Sequence, residues 1–253
     1  MNEPLITHGL AGTTAIVTGA SRGFGRAIAG ALAVAGAEVV GVARNGSGLD
    51  EVRDELSGFL PVVADAADPA TAQRLIDEYR PRTLVLCAGA TPQMSPLQDQ
   101  SWHSFSENWN VDVAQAFHWI RYALRRPLAP GSSVIAVSSG AAVAGSPLSG
   151  GYAGAKATVR FIAGYAAVES ERSGLGIRFV SVLPRLTPAT DLGAKAVAAY
   201  AERQGVDVES FVRAGGPALS AEQVGESVLS IATDGRGGGD AYLLTSTGLS
   251  AVA

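Results

Sequence analysis

A tyrosine and a lysine stand four positions apart in the stretch "GGYAGAK" (150–156), with only small residues between them. On a helix, Tyr152 and Lys156 share one face, with their Cβ atoms about 5–6 Å apart. An ammonium beside a phenol favours the phenolate, so we expect Lys156 to lower the pKa of Tyr152 from its ordinary value of about 10. Tyr152 could then exchange a proton with a carbonyl or alcohol oxygen.

A serine is placed to act on the same oxygen. Ser139 lies thirteen residues before Tyr152, at the end of the apolar run "SSVIAVSS" (132–139). Its hydroxyl could hydrogen-bond the reacting oxygen and stabilise the charge that develops there. The glycine and alanine residues at 150–155 have two explanations, a flat ligand that passes close to the helix or plain helix packing. Because a glycine-rich turn also precedes them, we favour the ligand.

That glycine-rich turn, "TGASRGFG" (18–25), follows the first apolar run of the chain. Gly19 permits a tight turn, while Gly23 and Gly25 allow a pyrophosphate to approach closely and a helix to pack against its strand. The N-terminus of the helix that follows presents free N–H groups and a positive dipole end to phosphate. The turn therefore predicts a dinucleotide site.

Two arginines bear on the choice of dinucleotide. The second apolar run ends in "VARN", which puts Arg44 where a bare ribose 2′-hydroxyl would call for a carboxylate. Arginine matches phosphate geometry, and Arg22 in the glycine turn could flank the same 2′-phosphate. Two solvated surface arginines are the alternative. We predict that NADP(H) is preferred over NAD(H). Asp65, after the third run, either meets an adenine amino group or caps the following turn.

Short, near-continuous apolar runs alternate with alanine-rich amphipathic segments along the chain. Such runs are typical of parallel strands covered on both faces. The alternation predicts an α/β fold with a doubly wound parallel sheet (Rossmann fold) and helices on both faces, as a single domain over 1–253. Residues 187–217 fit no strand or helix in this scheme and predict a substrate lid. The predicted strands are 14–19, 38–44, 60–65, 83–89, 132–139, 177–184 and 241–246, and the predicted helices are 24–35, 47–57, 69–79, 101–127, 152–173 and 220–233.

Composition excludes several classes of protein. A net charge of −4 argues against a nucleic-acid partner. No apolar run approaches the roughly 20 residues that span a membrane, and the N-terminus lacks the features of a signal peptide. Cys87 is the only cysteine, and the three histidines share no metal-ligand spacing, so we expect neither an intramolecular disulfide nor a metal. These features predict a cytoplasmic protein.

Taken together, the motifs resemble those of the short-chain dehydrogenase/reductase family over nearly the whole chain. They are "TGASRGFG", "CAG" (87–89), "SS" (138–139), "YAGAK" and "LPRLT" (183–187). The resemblance implies an NADPH-dependent oxidoreductase acting on a ketone or secondary alcohol, with Ser139, Tyr152 and Lys156 as catalytic residues and Lys156 also holding the nicotinamide ribose. The glycine-rich turn and the family resemblance together imply a set of cofactor-binding residues, namely Gly19, Ser21, Arg22, Gly23, Phe24, Gly25, Arg44, Asp65, Ala66, Ala88, Gly89, Tyr152, Lys156, Pro184, Arg185 and Thr187.

Two residues depart from the family pattern. Asp112 stands where the family has an asparagine, and Arg185 stands where a glycine usually follows the proline. Asp112 would favour the Lys156 ammonium and screen its effect on Tyr152, or would relay protons. Because the family's asparagine acts partly through its backbone carbonyl, we expect turnover to survive Asp112→Asn. Arg185 could contact phosphate, an acidic substrate or solvent.

The resemblance also bears on assembly and on alternative functions. In the family, the helices that correspond to 101–127 and 152–173 pair across subunits, which implies a homotetramer or homodimer here. Two other functions stay open, a dinucleotide-binding regulator that has lost turnover, which the two departures suggest, and a lyase or isomerase that keeps its cofactor.

Overall fold

One sheet organises the part of the chain that the computed structural model describes, residues 9–234 and 241–252. The strands are β1 (Thr14–Thr18), β2 (Glu38–Ala43), β3 (Phe59–Val63), β4 (Thr83–Leu86), β5 (Ser133–Val137), β6 (Arg178–Pro184), β7 (Ala241–Thr245) and β8 (Gly248–Ala251). Their order in the sheet is β3-β2-β1-β4-β5-β6-β7-β8. Neighbouring strands pair in parallel up to β7, and β8 is antiparallel to β7.

Helices cover both faces of this sheet. The helices are α1 (Gly23–Val34), α2 (Gly46–Glu55), α3 (Pro69–Tyr79), α4 (Trp102–Asn108), α5 (Ala114–Arg125), α6 (Ala141–Ala144), α7 (Gly150–Arg172), α8 (Asp191–Gln204), α9 (Val208–Ala214) and α10 (Ala221–Thr233). A π-helical segment, Trp109–Val113, joins α4 to α5, and a 3-10 turn, Leu97–Asp99, precedes α4. No helix among the described residues is long and apolar enough to cross a membrane.

Two cores follow from strands that are apolar on both faces. Val17 of β1 packs with α1, α2 and α10 on one side, where Ile28 and Val228 are fully buried. Its neighbour Ile16 points the other way and packs with α3, α5 and α7, where Trp119 is fully buried. Successive side chains of a strand alternate between its faces, so β1 to β6 contribute to both cores. The α/β class, the parallel sheet and the two helical layers are confirmed.

The strand order reverses between β1 and β4, which leaves a crevice at the carboxyl ends of these strands. Gly19 and the α1 start follow β1, while Ser139 follows β5, so both motifs lie at this edge of the sheet. Three features differ from the sequence prediction. The predicted helix 101–127 is interrupted by the π-helical segment, residues 187–217 contain α8 and α9, and β8 was not predicted.

Candidate active site

The three predicted catalytic residues meet where β5 ends and α7 begins. The Ser138 hydroxyl donates to the backbone oxygen of Lys156 at 2.7 Å, which ties α7 to the end of β5. The Ser139 hydroxyl lies close enough to Tyr152 to lower the pKa of the phenol by hydrogen bonding. The Nζ atom of Lys156 lies 5.7 Å from the centre of the Tyr152 ring. A phenol, a hydroxyl and an amine thus converge on one point at the carboxyl end of β5.

Lys156 is held in a buried ion pair with Asp112. Its Nζ lies 2.9 Å from Asp112 Oδ1 and donates to the backbone oxygen of Val137 at 3.1 Å. The two side chains are only 8% and 1% exposed. Burial is the largest single influence and by itself would lower the pKa of Lys156, but the Asp112 carboxylate and Tyr152 together outweigh it, so the pKa is raised and the amine stays charged.

The expected lowering of the Tyr152 pKa is wrong. Removal of the phenol from water is the largest influence, and it raises the pKa above its ordinary value. The Lys156 ammonium and the hydrogen bond from Ser139 act in the opposite direction, while the Asp112 carboxylate acts with burial. Without a bound ligand, Tyr152 is therefore a phenol through neutral pH.

The small residues at the start of α7 serve helix packing, so the ligand interpretation is wrong at Gly151. A Cβ atom there would lie 1.9 Å from the backbone oxygen of Phe105 in α4. At Gly150 a Cβ would lie 3.3 Å from the Phe105 ring, and at Gly154 it would lie 3.6 Å from Trp109. The backbone of α4 therefore crosses directly over the first turn of α7.

The glycine turn has the shape that a dinucleotide requires. Gly19 adopts a φ of 71°, and a Cβ there would lie 2.9 Å from the backbone of Ala88. A Cβ on Gly25 would lie 2.1 Å from the Gly19 oxygen. Helix α1 begins after Arg22 without a side-chain cap, whereas Asp68 caps α3. The N–H groups of the first turn of α1 therefore fit the pyrophosphate of a dinucleotide.

The two arginines lie in different surroundings. Arg22 Nη1 forms an exposed ion pair with Asp191 Oδ2 at 3.2 Å, which joins the glycine turn to the start of α8. Arg44 is exposed after β2 and takes part in no ion pair with the described residues. Thr190, which sequence reasoning missed, caps α8, and its methyl group lies 3.4 Å from the Cβ position of Gly23. The segment 187–217 therefore lies against the glycine turn.

Residues next to the carboxyl ends of β1 and β4 make further contacts that shape this edge of the sheet. Ser21 lies against Gly48 of α2, and Phe24 packs on the core that contains α1. Gln115 Nε2 donates to the oxygen of Ala88 at 2.8 Å, and the Thr18 hydroxyl donates to Gln115 Oε1 at 2.5 Å. Gln115 was missed, although it follows Asp112 by three positions and so shares its helix face. These contacts fix the end of β4 beside the end of β1.

The remaining predicted cofactor residues have structural contacts of their own. Asp65 Oδ1 accepts from the N–H of Ala67 at 2.9 Å, which is the capping role. The buried Ala66 accepts from the Trp119 indole at 2.9 Å. Thr187 is buried, and its hydroxyl donates to the oxygen of Leu219 at 2.5 Å.

The two residues before Thr187 differ in exposure. Pro184 is buried at the end of β6, and its oxygen accepts from the N–H of Gly140. Arg185 is exposed and lines a cavity of about 320 Å³ together with Phe211 and Leu219. Their roles toward a cofactor stay predictions.

The fold and these residues define a doubly wound dinucleotide-binding protein with a serine, tyrosine and lysine site. The family model described as short chain dehydrogenase matches residues 13–201. The chain therefore belongs to the short-chain dehydrogenase family, as its motifs indicated.

Individual relatives agree with this membership. L-xylulose reductase of Mesocricetus auratus is 32% identical over 133 residues, which cover 52% of this chain and 54% of that protein. Carbonyl reductase [NADPH] 2 of Sus scrofa is 32% identical over 130 residues, or 51% and 53% of the two chains. The match thus spans about half the length of these curated relatives. The crystal structure of a dehydrogenase/reductase from Sinorhizobium meliloti 1021 superposes with a TM-score of 0.74 at 27% identity and covers 90% of both chains.

Proposed function

We propose that the protein is an NADPH-dependent oxidoreductase that interconverts a ketone and a secondary alcohol. The observation that carries the proposal is the convergence of Ser139, Tyr152 and Lys156 beside the glycine turn. The names of two relatives, L-xylulose reductase and carbonyl reductase, support reductase chemistry.

Each side chain has a role that its contacts allow. Tyr152 donates its proton to the carbonyl oxygen in the direction of reduction. The Ser139 hydroxyl accepts from the N–H of Ala141 at 3.2 Å, and a substrate oxygen at this point would accept its hydrogen in place of Tyr152. An ammonium has three hydrogens, and Lys156 donates one to the Val137 oxygen and pairs by charge with Asp112, so a hydrogen remains for a ribose hydroxyl. NADPH supplies the hydride when it is bound.

The test of the activity is Tyr152→Phe with a panel of ketones, followed by the loss of NADPH absorbance. We expect the variant to lose turnover while it still binds NADPH, because only the phenolic oxygen is removed. Tyr122→Phe, whose hydroxyl donates to Asp77 at 2.6 Å outside the site, is the matched control and should leave turnover unchanged. Unaltered turnover in Tyr152→Phe would refute the proposal.

Two other results would identify the alternative functions. Binding of NADPH without oxidation by any carbonyl would indicate the regulator, which the departures at Asp112 and Arg185 suggest. Turnover of a substrate with no change in NADPH absorbance would indicate a lyase or isomerase.

The preference for NADPH rests on Arg44, whose exposed guanidinium follows β2 without an ion pair to the described residues. We expect Arg44→Ala to raise KM for NADPH by about tenfold, equivalent to about 1.4 kcal/mol, and to leave KM for NADH unchanged. Arg74→Ala on α3, where Arg74 pairs with Glu78, is the matched control. An equal effect on both cofactors would show that Arg44 does not recognise a 2′-phosphate.

A dimer or tetramer is proposed from the outer faces of α5 and α7. Four large apolar side chains are at least 48% exposed there, namely Phe117, Phe161, Tyr165 and Val168. The rings of Phe161 and Tyr165 stack at 6.1 Å. Exposed apolar patches of this kind mark association surfaces. Light scattering should give a dimer or larger species, and Phe161→Glu should reduce its size.

We also propose that the protein works in the cytoplasm. Its single cysteine, Cys87, suits a reducing compartment because it needs no disulfide partner. Fractionation of the source cells tests this location, and recovery of the protein outside the cytoplasm would contradict it.

A further inference from the structure

The site around Asp112 is built for a carboxylate rather than an amide. Its Oδ2 accepts from the N–H of Ala90 at 2.9 Å and from Asn108 Nδ2 at 3.2 Å. Its Oδ1 faces the Lys156 ammonium at 2.9 Å. All three neighbours are hydrogen-bond donors. An asparagine would offer one oxygen to these donors and would point its own N–H groups at the others.

The surrounding backbone makes room for this carboxylate. A Cβ on Gly89 would lie 2.8 Å from Asp112 Oδ1, so the glycine leaves space for the oxygen that pairs with Lys156. Asp112 lies in the π-helical segment, a distortion that often occurs at functional sites. Its side chain is only 1% exposed, and a buried carboxylate needs a nearby cation to remain charged.

We propose that Asp112 is a positioning residue that neutralises the charge of Lys156 and thereby keeps Tyr152 in its proton-donating phenol form through neutral pH. This inference rests on the proposed function, because it assigns Tyr152 the role of proton donor. The groups that act on the phenol come from four elements: Lys156 on α7, Asp112 on the π-helical segment, Cys87 after β4 and the uncharged Ser139 after β5. Asp112 is the carboxylate among them, and it lies against the ammonium.

A definite pH dependence follows for the two directions of reaction. Reduction uses the phenol, so kcat/KM for a ketone should stay level through neutral pH and fall only in alkaline solution. Oxidation of an alcohol uses the phenolate, so its kcat/KM should rise with pH up to the same midpoint. Asp112→Asn leaves the Lys156 charge unopposed, which should move both transitions to lower pH.

The decisive measurement needs no turnover. Protein labelled with 13C at the tyrosine ζ carbon is titrated without cofactor, and Tyr152→Phe identifies the resonance of Tyr152. We expect the wild-type Tyr152 to remain a phenol at pH 8 and the Asp112→Asn variant to ionise at least about one pH unit below the wild type. Asp77→Asn is the matched control, since the Asp77 carboxylate accepts from the Tyr122 hydroxyl at 2.6 Å outside the site. The Asp77→Asn substitution should shift the titration of Tyr122 and leave that of Tyr152 unchanged.

The outcomes separate this inference from the proposed function. The inference would be overturned if the titration midpoint of Tyr152 is unchanged or higher in a folded Asp112→Asn protein. A wild-type Tyr152 that is already ionised at pH 8 also overturns it. If Asp112→Asn does not fold, Gly89→Ala takes its place, because its added Cβ would lie 2.8 Å from Asp112 Oδ1, and an unchanged Tyr152 titration midpoint in that variant would overturn the inference as well. A phenol that behaves as expected in a protein that reduces no ketone would leave the inference about Asp112 intact and would refute the proposed function.

Discussion

Gly151→Ala should destabilise the protein although it replaces glycine inside a helix. The added Cβ would lie 1.9 Å from the oxygen and 2.7 Å from the carbon of the Phe105 carbonyl in α4. Real Cβ atoms essentially never come within 3.0 Å of another heavy atom. Because both clashing atoms belong to backbone, no side-chain rotation relieves the contact, and α4 must move away from α7.

The magnitude follows from two opposing contributions. Replacing glycine by alanine in a helix interior favours the helix by about 1 kcal/mol. Overpacking a tightly packed contact costs about 1–3 kcal/mol, and a backbone clash lies at the upper end of that range. We therefore expect Gly151→Ala to lower the free energy of unfolding by about 1–2 kcal/mol. Gly164→Ala on the same helix meets no atom within 4 Å, so it should raise that free energy by about 0.5–1 kcal/mol.

Urea denaturation followed by far-UV circular dichroism measures both variants at one protein concentration. Since Tyr152 is the next residue, the movement of α4 should also reduce ketone turnover in Gly151→Ala, while Gly164→Ala keeps it. Equal stability of the two glycine variants would refute the packing argument. It would restore the interpretation that these small residues serve a ligand.

Two further predictions concern single side chains near the site. Burial raises the pKa of Cys87 from 9.0 to about 11, so at pH 8 its thiolate is about 100-fold scarcer than in the unfolded chain. A thiol reagent should therefore react about 100-fold more slowly with the native protein than with the unfolded protein, and equal rates would contradict this. The Tyr200 hydroxyl of α8 shares a hydrogen bond of 2.7 Å with Ser146 and accepts from the N–H of Leu148 at 3.3 Å. Because Tyr200→Phe removes both bonds, it should raise KM for the ketone by up to about tenfold and leave NADPH binding unchanged. Steady-state kinetics and a cofactor titration measure these two quantities. A change in NADPH binding instead would show that Tyr200 does not act on the substrate side.

The fold was largely predictable because its strongest signals are local. Seven parallel strands coincide with near-continuous apolar runs, and such runs are typical of strands covered on both faces. The convergence of Ser139, Tyr152 and Lys156 was also predictable, because a parallel sheet brings the carboxyl ends of its strands to one edge. Helix α8 had readable signals as well, with Thr190 at its N-cap and Gly205 in the left-handed conformation at its C-cap, but its many alanines obscure the apolar stripe.

What could not be predicted depends on distant contacts. Strand β8 consists mostly of small residues, "GLSA", and forms because β7 offers it an edge. The π-helical segment changes hydrogen bonding within a continuous apolar pattern, so periodicity does not detect it. The pKa of Tyr152 depends on burial first, then on Lys156, Ser139, Asp112 and Cys87. Sequence reasoning weighed the cation while the extent of burial was unknown.

Two glycines near the site make room for the helical segment that carries Asp112 and for its carboxylate. Gly151 admits the backbone of α4, and Gly89 admits the carboxylate itself, with a Cβ distance of 2.8 Å to Oδ1. A methyl group at position 89 would therefore push that oxygen away from Lys156. If Asp112 sets the pH at which Tyr152 ionises, Gly89→Ala should lower the titration midpoint of Tyr152 in the cofactor-free protein, as Asp112→Asn does.

Carbon-13 titration without cofactor separates this effect from any effect on cofactor binding. Gly154→Ala is the matched control, because its Cβ meets Trp109 at an ordinary 3.6 Å and leaves the ion pair alone. A Gly89→Ala protein with weaker NADPH binding and an unchanged Tyr152 midpoint would show that Gly89 serves the cofactor. A lowered midpoint would show that this glycine acts on Tyr152 through the charge of Lys156.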